Sequence, residues 1–384
     1  MEKTAGIDFE LDRGLIPPQV RKLRDTYDMK PNAPFFMKEF GFLSGERWLV
    51  EGKLQKMEEI HSLCAYDGAA VYAPYNLGWC EPAFLPAFDE IVLEDRGETE
   101  LVRDGAGRKV VFFKGSHNGY MPTYVDHPVK DFESWEKLCA WRLNPKSPAR
   151  LEQLRQSCEE GVKHAKAGFF MQQTIIGGYM YLRALIGPED LLYMFYDNAP
   201  LIHECMRAWL ELNDAVLSET QKHYTLDEIF LGEDICYNHG SLISPDMMEE
   251  FLLPYYQQLI ENAKKRQRDK DRKLYIYIDT DGDCREVIPF YNRLGMKVMS
   301  PFEVASGCDV VEIGRQYPEL IMSGGIDKRE LAKGKDAIDR MLERIIPPMK
   351  ERGGYIPTCD HDVPEEVDFE DYIYFRKRLI EYST

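Results

Sequence analysis

Carboxylates recur where short apolar runs of this chain end. Glu39 lies near the end of residues 34–41 (PFFMKEFG), Glu233 and Asp234 follow 228–232 (EIFLG), and Asp279, Asp281 and Asp283 close or follow 273–279 (KLYIYID). Glu303 follows 296–301, Asp327 follows 319–323, and Cys359, Asp360 and His361 follow 355–358. Carboxylates crowded into one place cost free energy unless they are protonated, paired or bound to a cation. Two chemistries satisfy that demand. In one, Asp279 and Asp281 join His361 or Cys359 around a zinc ion that acts as Lewis acid on a substrate oxygen. In the other there is no metal, and one carboxyl, raised by its neighbour, donates a proton. Asp283 and Asp327 also suit the plainer role of helix caps. The string from Tyr277 to Asp283 alternates oxygen donors around a glycine, but a strand precedes it and its next glutamate, Glu286, comes too early for a calcium loop.

Such groups meet only if the elements carrying them share one end of a sheet. Eight β-rich runs are legible, at 34–41, 68–73, 168–174, 228–232, 273–279, 296–301, 319–323 and 355–358. The later ones alternate with helix-like stretches, for example 244–268, with Ser244 as N-cap and Pro245 at the first position, and 336–352, stopped by Gly353 and Gly354. The pattern predicts an α/β fold, a (β/α)8 TIM barrel forming one domain over 1–384, with reacting groups at the carboxyl ends of the strands. Between the second and third runs, 90–103 and 109–114 flank Asp104-Gly105 and predict an inserted β-hairpin. This frame assigns Asp279, Asp281 and His361 to catalysis. It assigns Glu39, Phe40, Trp79, Glu233, Glu303 and Asp327 to the substrate.

Composition narrows the partners. The formal charge of −18, from 66 acidic against 48 basic side chains among 384 residues, repels phosphate backbones and anionic lipid. No nucleic acid or membrane partner is expected. Residues 1–14 lack the apolar run of an export signal, and the nine cysteines include no C-x-x-C pair. A cytoplasmic protein with free thiols is the expectation.

Certain strings go further. Residues 242–245 (LISP), 301–309 (PFEVASGCD), 324–328 (GGIDK) and 353–358 (GGYIPT) with His361 resemble successive motifs of the uroporphyrinogen decarboxylase-like superfamily. That resemblance implies a (β/α)8 barrel and either the heme-pathway decarboxylase reaction or zinc-dependent methyl transfer to corrinoids. The decarboxylase carries an arginine-containing R-Q-A-G-R-Y motif after its first strand. Here the stretch is Met37 to Leu43, with Glu39 and no arginine before Arg47. Related methyltransferases show His-x-Cys after the fifth strand and a later Cys after the eighth. Here Asp279-Thr280-Asp281 takes the first place, and Cys359 or His361 the second.

Oxygen donors in place of sulfur favour an oxygen-centred substrate over a thiol. The expectation is therefore an O-demethylase-like methyltransferase that moves a methyl group from a small methoxylated compound to a corrinoid on a partner protein, with zinc as a possible cofactor and a homodimer as a possible assembly. The alternatives are a decarboxylase or lyase of a small acid, and a non-catalytic barrel that binds a corrinoid or tetrapyrrole.

Overall fold

Runs rich in aliphatic and aromatic residues become strands because their alternate side chains find apolar surroundings on both faces. A computed structural model describes residues 16–115 and 122–383; residues 1–14, read above for an export signal, lie outside them. In chain order the strands are β1 (Val71–Tyr72), β2 (Asn76–Leu77), β3 (Ile91–Asp95), β4 (Thr99–Arg103), β5 (Lys109–Phe113) and β6 (Thr123–Asp126). There follow β7 (Phe170–Ile176), β8 (Glu228–Gly232), β9 (Cys236–Tyr237), β10 (Gly240–Ser241), β11 (Tyr275–Asp279), β12 (Met296–Ser300), β13 (Ile321–Ser323) and β14 (Tyr355–Ile356).

A curled parallel sheet runs β1-β7-β8-β11-β12-β13-β14. β2 also lies along β7, at Asn76↔Thr174, beyond the β1 pairing at Val71↔Phe170, so β1 and β2 are one interrupted element. One face of the sheet packs Ile229, Leu231, Ile276, Ile278, Met299 and Met322 against the helices. The other face gathers Phe36, Phe170, Phe230, Tyr275, Tyr277, Val298, Ile321 and Ile356 into an inner core. Val20, Leu23 and Tyr27 of the helix Pro18–Tyr27 complete that inner core. Each fully buried large apolar side chain contributes roughly 1.5–3 kcal/mol.

The first expected strand differs. Residues 34–41 are extended but carry no ladder, because side chains capture their amides: Phe35 N–H donates to Ser383 Oγ at 2.9 Å and Met37 N–H to Asp67 Oδ2 at 2.6 Å. Isolated contacts hold the segment on either side, Asp67 N–H to the Met37 carbonyl and Val363 N–H to the Gly41 carbonyl.

Between β2 and β7 the chain builds a separate antiparallel sheet in the order β3-β4-β5-β6, where the sequence pattern predicts two strands. Its central pair, Arg103↔Lys109, turns over residues 104–108 because Asp104 Oδ1 accepts the amides of Ala106 and Arg108. The 244–268 stretch starts as expected, with Ser244 accepting from Met247 N–H, but it divides into Pro245–Phe251 and Leu253–Arg266. Among the described residues, no helix is long and apolar enough to cross a membrane.

Candidate active site

Strand alternation turns the inner core polar at its carboxyl end. Tyr275 and Tyr277 face the core, so Asp279, two residues on, faces the space above it; Ser300 follows Val298 in the same way and pairs with Asp279 in register. Ser300 Oγ donates to Asp279 Oδ1. Burial pushes the Asp279 carboxyl up to about 7; the Ser300 bond opposes the rise, and the charges of Asp281 and Asp234 add to it. On the extended first segment Phe36 faces the core and Lys38 takes the next inward position. Burial lowers the Lys38 ammonium pKa, against the fields of Glu228, Asp279 and Glu39.

Above this floor stands a rim. Asp281 is pushed up to about 6 by burial and by the charge of Asp234, with His361 opposing, Glu303 adding and Lys328 opposing. His361 Nδ1 accepts the Asp362 amide at 2.8 Å, which leaves the ring proton on Nε2, 3.7 Å from Asp281 Oδ2. Phe40, 40 % exposed, packs on the His361 ring with centroids 5.0 Å apart. Opposite, Trp79 is 46 % exposed and lies on Phe230, also at 5.0 Å. Gly232 makes room for it, since a Cβ there would meet Trp79 Cδ1 at 3.2 Å. Glu303 accepts the Gly282 amide at 2.9 Å, fixing the loop that carries Asp281, and Lys328 Nζ stands 3.8 Å from Glu303 Oε1. Arg183 donates to Asp234 Oδ2 at 3.2 Å, while Asp234 itself holds a positive φ of 48°.

Asp279, Asp281, His361, Glu303, Phe40 and Trp79 thus come together at the carboxyl end of the sheet. Three other expected residues do not, and each is spent on the protein. Glu233 is fully buried, accepting from the Tyr179 amide at 3.0 Å and from the Tyr256 hydroxyl; burial raises it to about 7. Its neighbour Asp234 takes the open side. Glu39 accepts from the amides of Cys359 and Phe40 at 2.9 and 3.1 Å and from the Tyr372 hydroxyl at 2.8 Å, so it ties the first segment to the last strand's loop. Asp327 caps the helix Lys328–Leu331 and holds Arg329 through both oxygens, at 2.9 and 2.8 Å, which keeps it below the usual carboxylate range despite its burial. Asp283 is likewise a cap.

The cations Lys38, Arg183 and Lys328 are missing from a sequence reading that counts acids. For Lys38 a signal exists: its alternation with Phe36.

The four expected zinc ligands do not converge either. Cys359 is wholly buried beside Glu39, whose oxygen its own amide binds, whereas Asp281 and His361 stand at the rim. Among the described residues, no group of three or more His, Cys, Asp or Glu is gathered to hold a metal ion. The residues present do not fit a bound zinc.

Comparison with known proteins agrees with this frame. The family model described as uroporphyrinogen decarboxylase (URO-D) matches residues 104–382. No curated protein matches by sequence. A methyltransferase from Methanosarcina mazei superposes with a TM-score of 0.58 at 11 % identity, over 94 % of this chain and 98 % of that one. A candidate vitamin-B12-independent methionine synthase from Listeria monocytogenes matches at a TM-score of 0.36 and 12 % identity, over 91 % and 98 % of the two chains.

Proposed function

Given that the chain belongs to the uroporphyrinogen decarboxylase family, we propose that it is a methyltransferase, moving a methyl group from a small methoxylated compound to a corrinoid held by a partner protein. We read the curled sheet as a closed (β/α)8 barrel, with residues 34–41 in the eighth place, and the chain as one domain. The observation that carries the reading is the gathering at the strand ends of Asp279, bonded to Ser300, and Asp281, 3.7 Å from His361 Nε2, beside the exposed rings of Phe40 and Trp79, with burial raising both carboxyls. The fold it shares with the Methanosarcina mazei methyltransferase is consistent with this.

Breaking a methyl ether leaves charge on oxygen, and a protonated carboxyl at the leaving atom neutralises it. In this reading Asp281, whose Oδ2 is 3.7 Å from His361 Nε2, gives that proton, and Asp279, held by Ser300, serves as a reserve acid. Trp79 and Phe40 hold the flat part of the substrate. The corrinoid, on its own protein, supplies the nucleophile that accepts the methyl group. The exposed aromatic rim fits the approach of a broad planar ring. No step requires zinc.

A single-turnover assay with reduced corrinoid and a panel of methoxyarenes tests this by following methyl-cobalt absorbance. Absence of methyl transfer from every donor, with carbon dioxide released from some acid instead, would establish the second reading, a decarboxylase of a small acid. The cations Lys38, Arg183 and Lys328 favour that alternative, since they can hold a carboxylate.

A further inference from the structure

Cys308 lies in the 301–309 string, and the proton chemistry makes no use of it. Its sulfur stands 3.7 Å from that of Cys284, on the loop that follows β11. Among the described residues, no other two cysteine sulfurs are in hydrogen-bonding contact. Both residues are wholly buried, yet each has an exposed chain neighbour, Arg285 beside Cys284 and Gly307 beside Cys308, so the pair lies one residue beneath the surface. Arg285 also covers Gly307, where a Cβ would meet its Nη2 at 3.1 Å. A guanidinium near a thiol favours the thiolate. The hydrogen bond from Cys284 lowers the Cys308 thiol against burial, and the Arg285 charge assists against that of Asp283.

The same pair grips the loop that carries Asp281. The turn from Glu303 to Cys308 holds the Gly282 residue at two points: Glu303 accepts its amide at 2.9 Å, and the Cys308 thiol donates to its carbonyl at 3.6 Å. Packing alone asks only for small apolar side chains here. Two sulfurs in contact add a reaction that such side chains lack.

We propose that Cys284 and Cys308 form a reversible disulfide with hydrogen peroxide as the oxidant, and that this bond switches the site by displacing the loop that carries Asp281. In the first step the Cys308 thiolate attacks one peroxide oxygen. An S–O bond forms, the O–O bond breaks, and the departing hydroxide takes up the proton that the thiol released, leaving as water and a sulfenic acid on Cys308. In the second step the Cys284 sulfur attacks the Cys308 sulfur. The S–S bond forms, the S–O bond breaks, and hydroxide leaves as water with the Cys284 proton. Two thiols together lose two electrons, and one peroxide becomes two waters. A disulfide spans about 2.05 Å, so the sulfurs must draw together by about 1.7 Å. Both side chains are enclosed, so part of that closure falls on the loops that bear them, and the Gly282 carbonyl loses its thiol donor. The effect on activity rests on Asp281 being the acid; the disulfide itself does not.

The test treats the reduced full chain with hydrogen peroxide, blocks the remaining thiols and digests with trypsin. Cleavage after Lys273, Arg285, Lys297 and Arg315 leaves each of the two cysteines alone in its peptide, residues 274–285 and 298–315. Mass spectrometry should find these peptides joined, and dithiothreitol should part them. Cys284→Ala and Cys308→Ala should each abolish the joined species. Amide exchange over residues 280–283 should quicken about tenfold in the oxidised protein. Methyl transfer should fall about tenfold or more and return on reduction, while both variants keep their activity in peroxide within about twofold. The proposal is overturned by Cys284 and Cys308 thiols that outlast oxidation of the exposed Cys80, by either sulfur joined to Cys236 instead, or by a disulfide that leaves exchange and activity unchanged. A disulfide with quickened exchange, in a chain that transfers no methyl group from any donor, would keep the switch and sink the proposed function. Methyl transfer indifferent to peroxide, with both thiols intact, would do the reverse.

Discussion

Asp279→Asn should make the protein more stable and less active, and the gain in stability should depend on pH. In the native state burial holds this carboxyl protonated up to about 7, against 3.8 ordinarily. Between those values the folded chain binds a proton that the unfolded chain has released, so stability is fully present below the unfolded value and falls as pH rises through the window. At 1.36 kcal/mol per tenfold, the full effect at pH 8 is at most about 4 kcal/mol, and the part lost between pH 5 and pH 8 about 2.5 kcal/mol. Solvent at the open mouth screens some of this, and asparagine replaces the Ser300 contact imperfectly, leaving an expected increment of about 1–2 kcal/mol. Asparagine does not titrate. Urea unfolding of wild type and variant at pH 5 and pH 8, with unchanged m-values, should therefore show the variant gaining that much more at the higher pH. A variant equally destabilised at both values would refute the buried, protonated carboxyl on which the site's chemistry rests.

Asp281→Asn should lower kcat by roughly 10²–10⁴. Wild-type kcat should fall as pH rises through the range set by about 6 and about 7, and a profile that instead climbs there would count against proton donation. Glu233→Ala should cost about 2–4 kcal/mol in chemical unfolding by leaving the Tyr179 amide and Tyr256 hydroxyl unpaired, with activity per folded molecule unchanged, whereas Glu233→Gln should retain most of that stability. Protein purified without chelator should contain no stoichiometric zinc by mass spectrometry and keep its activity in chelator; stoichiometric zinc lost in His361→Ala would overturn the metal-free acid pair.

Much of this arrangement is legible in the amino-acid sequence. Seven of the eight strands lie where apolar alternation places them, and β8 ends at Gly232 as expected. The remaining one misleads because 34–41 has strand composition while Ser383 and Asp67, hundreds and tens of residues away in the chain, intercept its amides. The acidic mouth is legible as a set of strand-end positions, but not which members face it. Glu233 and Asp234 differ by one residue and hence by side, and only the left-handed turn at Asp234 decides between them. Asp327 suits both a cap and a substrate contact, and Arg329 two residues on settles it. Lys328 and Arg183 give no sequence signal because a cation within a short helix looks like any solvated lysine or arginine.

Residues 34–41 lie extended with two of their amides on Ser383 and Asp67 in place of a ladder. β8, by contrast, is paired on both sides, by β7 and by β11. Backbone held by single side chains opens more readily than backbone in a two-sided ladder, so amide exchange should begin at 34–41 well before it reaches β8.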